Sequence, residues 1–255
     1  MRTRVATLAL MAMLFSSWAV GQNTFSNSNS QRNAAMSPYK EGVGLMRAES
    51  WDKAAEAFSR AIDLDPTFDM AYYALGKTNL ARKHYAEAVA ALTKCRDLHQ
   101  QNAGRLFSNQ QEAQRYRRDR ILEIDEVIRS YSSGPQTGAT QETLRQLNEQ
   151  RRQLQESIQR GTNMSIDASV PAYVSVALGS AFFRTERFAD AEREYKAAIA
   201  ADANVGEAHN NLAVVYLTTG RIDEAEKAVK AAEKVGFKVN PMLKEDIAAA
   251  KKKTF

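Results

Sequence analysis

A single cysteine, Cys95, occurs in 255 residues. No disulfide within the chain can hold it together, so its stability comes from packing. Five prolines and twelve glycines are too few for a collagen-like or Pro/Gly-rich disordered chain. The histidines, His84, His99 and His209, stand far apart, and no His-x-x-x-His, Cys-x-x-Cys or carboxylate cluster offers metal-ligand spacing. There is no Gly-x-Ser-x-Gly elbow or glycine-rich phosphate loop, since the "GVG" at 42–44 falls inside a helical stretch. No serine has a base nominated by spacing. Asp63 and Asp65 stand where a helix ends and read as solvated. An enzyme is not expected, and neither a cofactor nor a metal.

Charge is also in short supply. The net value is +5 from 35 basic and 30 acidic residues, too mild to indicate a nucleic-acid partner. With 44% hydrophobic and 25% charged residues, the chain suits one good-sized domain or an array of small units. The first residues, "MRTRVATLALMAMLFSSWAVGQ", join a basic start to an apolar run from Val5 to Phe15. That run is shorter than the roughly 20 residues that span a bilayer. Ala19 and Gly21 fit the small-x-small rule of a secretory cleavage site, with Gln22 opening the mature chain. Residues 1–21 are therefore expected to be a signal peptide, and the protein exported, to a periplasm or outside. Losing Arg2 and Arg4 with the leader takes the charge from +5 to +3.

What the chain does have is repetition. In "WDKAAEAFSRAIDLDP" at 51–66, Trp51, Ala54, Phe58 and Ala61 stand three and four apart on one helical face before Pro66. The pattern returns as Tyr85, Ala88, Leu92, Cys95, then as Phe188, Ala191, Tyr195, Ala198, and again as Ile222, Ala225, Val229, Ala232. Upstream of each lies another helical stretch with its own small residue: Gly42, Gly76, Gly179 and Ala213. Gly42 and Gly76 are 34 residues apart, as are Gly179 and Ala213. Such a period means stacked helical hairpins, none of which can bury its apolar face alone. The small residues are expected to let two helices approach, and the aromatic to fill the gap to the next unit. Cys95 takes a small buried slot of this face.

These residues resemble tetratricopeptide repeats. The Leu-Gly pairs at 75–76 and 178–179, the Ala-x-x-x-aromatic-x-x-Ala cores at 54–61 and 191–198 and the closing Pro66 carry the likeness. Units fall at 35–68, 69–102, 172–205 and 206–239. Gln100 and Ala203 stand where a closing proline is usual, and Ala213 replaces glycine. The resemblance implies an all-α solenoid of helical hairpins.

Gly76 and Gly179 are 103 residues apart, 69 more than one repeat. Residues 103–171 contain ten arginines, no lysine and no small-aromatic-small core. Ile121, Ile124, Ile128 and Tyr131 mark one seam; Leu144, Leu147, Leu154 and Ile158 mark another, with Arg151 intruding. "SSGPQTGAT" between them is a turn. An antiparallel coiled-coil-like arm is expected, with Ile128 near Leu144 and Ile121 near Arg151; two eroded repeats are the alternative. Residues 22–34 are polar and expected to be a disordered linker. Residues 240–255 read as a capping helix opened by Asn240 and Pro241, with Met242, Leu243, Ile247 and Phe255 covering the last unit. Membrane contact is expected only through an uncleaved leader or, weakly, the lysines at 251–253.

The resemblance further implies a concave wall, lined by the first helix of each unit, that takes a peptide or partner helix. Carried over by position, its candidate residues are Tyr39, Tyr73, Lys77, Tyr173, Ser180, Arg184, Asn210 and Asn211. Tyrosine suits adaptable contact, and asparagine bonds a ligand's amides in both senses. The Lys/Arg/Asn set with which one variant of the family grips a carboxyl terminus is absent, since Tyr39, Val43 and Ala74 hold the matching places. The first functional expectation is thus an exported scaffold or adaptor with a protein or peptide partner. The alternative is an envelope component forming a homo-oligomer through the arm. An unrecognised envelope enzyme comes third, with no residue set behind it.

Overall fold

The computed structural model describes residues 30–104, 106–132, 138–161, 165 and 170–253, with side chains at 130–131, 138–140, 142–143 and 253 excepted. The leader at 1–21, residues 22–29 of the expected linker, most of the turn at 132–140, the seam side chain of Tyr131 and Phe255 lie outside that description. Among the described residues are eleven α-helices and no strand beyond an isolated bridge between Leu106 and Ser165. Four hairpins make the array: α1 (30–47) with α2 (Trp51–Leu64), α3 (Asp69–Ala81) with α4 (Tyr85–Asn102), α7 (Ala172–Arg184) with α8 (Phe188–Ala201), and α9 (Gly206–Thr218) with α10 (Ile222–Lys234). Between the second and third lie α5 (Gln110–Ser132) and α6 (Gly138–Arg160); α11 (Pro241–Lys253) closes the chain.

Each hairpin turns in the same way. Glu49, Lys83, Glu186 and Gly220 adopt the left-handed backbone, with φ of 54°, 63°, 59° and 75°. At each turn the next residue's N–H reaches back five residues, as from His84 to the Asn79 carbonyl at 2.9 Å and from Arg187 to Phe182 at 2.9 Å. The left-handed residue's own N–H reaches back three, as from Lys83 to Leu80 at 3.1 Å. This is a Schellman closure, which satisfies two otherwise orphaned helix-end carbonyls. Three of the four turns accept its cost without glycine, since a side chain in this region meets the following carbonyl.

Packing within a hairpin follows the glycine register. A Cβ built on Gly42 would lie 2.7 Å from the Phe58 ring, one on Gly76 2.4 Å from Leu92, and one on Gly179 2.7 Å from the Tyr195 ring. The large residue therefore fills the notch opposite the glycine of its own hairpin. In the fourth hairpin Ala213 and Val229 hold the equivalent places and both are buried; a larger notch residue is matched by a smaller knob.

The array runs unbroken across the long insertion. Helix α4 packs on α7 as α2 packs on α3. The Tyr73 and Tyr173 rings meet edge-on at 4.9 Å, and Arg96 Nη1 donates to Glu194 Oε1 at 2.7 Å. Residues 103–171 hold two helices of 23 residues each, longer than any helix of the array, and not a pair of eroded repeats. Gln110 bonds Gly161 at 3.3 Å and Arg151 bonds Asp125 at 3.0 Å, so α5 and α6 run antiparallel. Arg151 stays at the seam because Asp125 neutralises it there.

Two expectations about the ends change. Residues 30–34, placed in a disordered linker, are helical, because Arg32 lies 4.4 Å above the Phe68 ring and pairs with Asp65 and Glu123. In α11, Asn240 caps the helix by accepting from the Met242 N–H at 3.0 Å, and Ile247 is buried. Met242, however, is 65% exposed and covers nothing. Lys251 pairs with Glu226 at 2.6 Å. Among the described residues, no helix is long and apolar enough to cross a membrane.

Candidate interaction groove

The inner wall of the array, formed by α1, α3, α7 and α9, is not uniformly open. Helix α5 lies along its first half. Ile124 and Val127 belong to the same buried cluster as Tyr39, Tyr73 and Tyr173. Val127 closes a void of only about 20 Å3 against Tyr39, Val43, Met46, Tyr73, Ala74 and Lys77. The insertion is therefore no projecting arm; it folds back and occupies the groove. Ile124 and Leu147, on the two expected seams, are fully buried inside the chain.

Charge fixes the insertion there. Glu123, 2% exposed, accepts from Arg32 at 2.5 Å and from Arg120 at 2.8 Å. Arg120 also reaches Asp69 at 2.8 Å. Burial would raise the Asp69 carboxyl, but Arg120, His99 and Arg32 outweigh it and hold it down to about 2. Burial lowers the Arg120 guanidinium, while Asp69 and Glu123 more than restore it, so it stays charged. His99 Nε2 lies 3.1 Å from Asp69, yet burial, with Arg120 adding to it, brings the imidazole down to about 4. At neutral pH this is a neutral ring beside a carboxylate. Buried pairs of this kind add little net stability over an apolar equivalent, but losing one partner strands the other at about 3–5 kcal/mol. They fix position more than they add strength.

The eight residues nominated from sequence divide accordingly. Tyr39, Tyr73 and Tyr173 are buried, at 1%, 3% and 4% exposure, and so offer nothing to a partner while α5 is seated. Tyr39 packs between Phe58 and Phe68, and the Tyr173 hydroxyl contacts the Met70 sulfur at 3.7 Å. Lys77 is half-buried beside them. The other four lie on the second half of the wall. Ser180, Asn210 and Asn211 are half-buried and Arg184 is exposed. Because Gly179 leaves room, Tyr195 passes it from α8, and its hydroxyl donates to Ser180 Oγ at 3.2 Å. Burial pushes that hydroxyl up to about 12. Asn210 donates to Asn211 at 3.3 Å. Phe183, Val214 and Leu217 complete a mixed polar and apolar strip. Sequence reasoning missed Glu123, Arg120 and Val127. An i, i+3 pair of opposite charges beside an apolar seam was their only signal. Among the described residues, no group of three or more His, Cys, Asp or Glu could hold a metal.

A family model for the tetratricopeptide repeat matches residues 39–103 and 176–236. The chain is a tetratricopeptide-repeat protein. The two matched stretches are the two pairs of hairpins, and the insertion falls in the gap between them. Solved structures similar to this repeat protein include TTC0263 of Thermus thermophilus, at 21% identity over 85% of this chain and 98% of that one, with a TM-score of 0.35. The TPR2AB domain of yeast Sti1, solved with pHSP90, is 14% identical over 86% and 99%, with a TM-score of 0.30. YrrB, described as having an unusual peptide-binding site, is 16% identical over 92% and 97%, with a TM-score of 0.29. No curated protein matches.

Proposed function

We propose that this tetratricopeptide-repeat protein is an exported, non-enzymatic interaction module. The open half of its wall, on α7 and α9, takes a segment of a protein partner. The carrying observation is internal to the chain: the first half of the same wall already holds a helix, α5, through Ile124, Val127 and flanking ion pairs. A wall built of the same repeats is suited to the same kind of occupant, an amphipathic helix with apolar residues three and four apart. Arg184 stands ready for an acidic flank.

Cross-linked capture in the native compartment tests this with Arg184→Glu plus Val214→Asp. Partner recovery is expected to fall at least tenfold while helical content stays unchanged; equal recovery removes the groove from consideration. Export rests on the sequence of residues 1–21, and amino-terminal sequencing of the mature protein tests it, with Gln22 the expected first residue. Assembly through the insertion is the weaker reading, since its buried seam residues face the protein's own interior.

A further inference from the structure

The array stacks without help from α5. Helix α4 packs directly on α7, with Tyr73 edge-on to Tyr173 and Arg96 bonded to Glu194. The insertion has its own bonds in turn: α5 packs along α6, and Arg151 pairs with Asp125 at 3.0 Å. What joins α5 to the first half of the wall is about two helical turns. Arg120 meets Asp69 of α3, Glu123 meets Arg32 of α1, and Ile124 and Val127 enter the cluster that holds Tyr39 and Tyr73. The fit is imperfect. A half-open cavity of about 480 Å3 separates insertion from array beside this seat. Two buried polar atoms of the insertion, Arg120 Nη2 and Gln150 Oε1, have no hydrogen-bond partner among the described residues, and each such group lowers stability. The ion pairs fix position more than they add strength. A second helix of matching chemistry can take over such a seat.

Helix α5 itself shows what that chemistry is. The stretch "RILEIDEV" at 120–127 reads Arg-x-x-Glu-Ile-x-x-Val, which brings a cation, a carboxylate and two aliphatic residues onto one helical face. The wall answers each of them, with Asp69 for the cation, Arg32 for the carboxylate and the tyrosines for the aliphatic pair. We infer that the first half of the wall is a second, masked interaction surface. An amphipathic helix of a protein partner, carrying this charge and aliphatic order, displaces α5 and binds in its place. Because α5 belongs to the same chain, it competes at an effective concentration on the order of millimolar. A free helix therefore reaches the wall only in the fraction of molecules whose α5 is withdrawn, and its apparent affinity is reduced by that fraction. Masking sets a threshold that only a well-matched helix passes. This surface is separate from the open strip on α7 and α9 and does not depend on its function.

The test uses the full chain and a fluorescent peptide with the sequence of residues 110–132. Fluorescence anisotropy measures peptide binding to the wild type and to Val127→Asp, a change in the chain's own α5 that leaves the wall intact. The expected result is saturable binding that is at least tenfold tighter in Val127→Asp, because loosening α5 raises the fraction of open wall. Glu123→Gln serves if Val127→Asp misfolds, with a smaller gain in the same direction, since the peptide restores the missing carboxylate. A peptide carrying Ile124→Asp and Val127→Asp should not bind. Arg184→Glu plus Val214→Asp in the chain should leave the affinity unchanged, because those residues belong to the open strip. Absence of saturable binding to a folded loosened variant, equal affinity in wild type and variant, or loss of binding through the open-strip changes overturns the proposal. So does a wild-type chain of doubled mass in light scattering, which would make a second copy the occupant.

Discussion

The two ends of one wall make an instructive pair. On α1 and α3 the tyrosines are buried under α5, and a salt-bridged cluster of Arg32, Asp69, Arg120 and Glu123 pins that helix down. On α7 and α9 the corresponding strip stays partly exposed, and its polar groups bond one another. Both ends are built from the same repeat, so the repeat does not decide whether its groove is filled. The occupant does, and here it is carried in the same chain. Tyr73→Ala would therefore act on folding, whereas a change at Arg184 would act on recognition.

The sharpest way to break this comparison is Glu123→Gln. It removes the carboxylate that Arg32 and Arg120 share, leaving Arg32 with Asp65 and Arg120 with Asp69, and should cost about 3 kcal/mol in urea unfolding, while Arg184→Ala on the open side should stay within about 0.5 kcal/mol. Equal effects at the two positions would mean that α5 is not held by this cluster.

Acid should act next most strongly, and on the filled end. His99 has an ordinary value of 6.5 and about 4 when folded, so the unfolded chain binds the extra proton between those values. Stability is complete above about pH 6.5 and falls as pH drops towards 4, by an amount on the order of 3 kcal/mol. Asp69, depressed from 3.8 to about 2, contributes stability above its unfolded value that is lost as pH falls through about 2. His99→Gln should abolish the first decline and leave the second. A pH titration of the urea midpoint distinguishes the two limbs.

A smaller effect separates the knobs of the two ends. Gly179→Ala drives a Cβ to within 2.7 Å of Tyr195 and should cost about 1–3 kcal/mol. Adding Tyr195→Val, which reproduces the Ala213 and Val229 pairing of the fourth hairpin, should recover part of it. The smallest effect is at the turns. Lys83→Gly relieves a left-handed lysine and should stabilise by about 1 kcal/mol, whereas Gly220→Ala, with open space around its Cβ, should destabilise by a similar amount. Both are read from the thermal midpoint.

The hairpins were legible because their signals are local: glycine, knob and turn recur at a fixed spacing, and each acts within some twenty residues. The boundary of α1 was less so. Residues 30–34 look polar and unstructured until Arg32 finds Phe68 and Glu123, partners far along the chain. The site was legible only as a set of wall positions. Nothing in Tyr39 or Tyr73 distinguishes a tyrosine waiting for a partner from one already covered.

By itself, the sequence determined an all-helical repeat array with a long foreign segment at its centre, since a 34-residue register is written in the identities of neighbouring residues. Only the tertiary structure decided where that segment goes. Its return onto the groove depends on matches between Ile124 and the tyrosines, and between Glu123 and Arg32, which no spacing along the chain encodes. A helix amphipathic enough to pair with α6 is also amphipathic enough to lie on a repeat surface. The choice between projecting and folding back is made by long-range burial and charge.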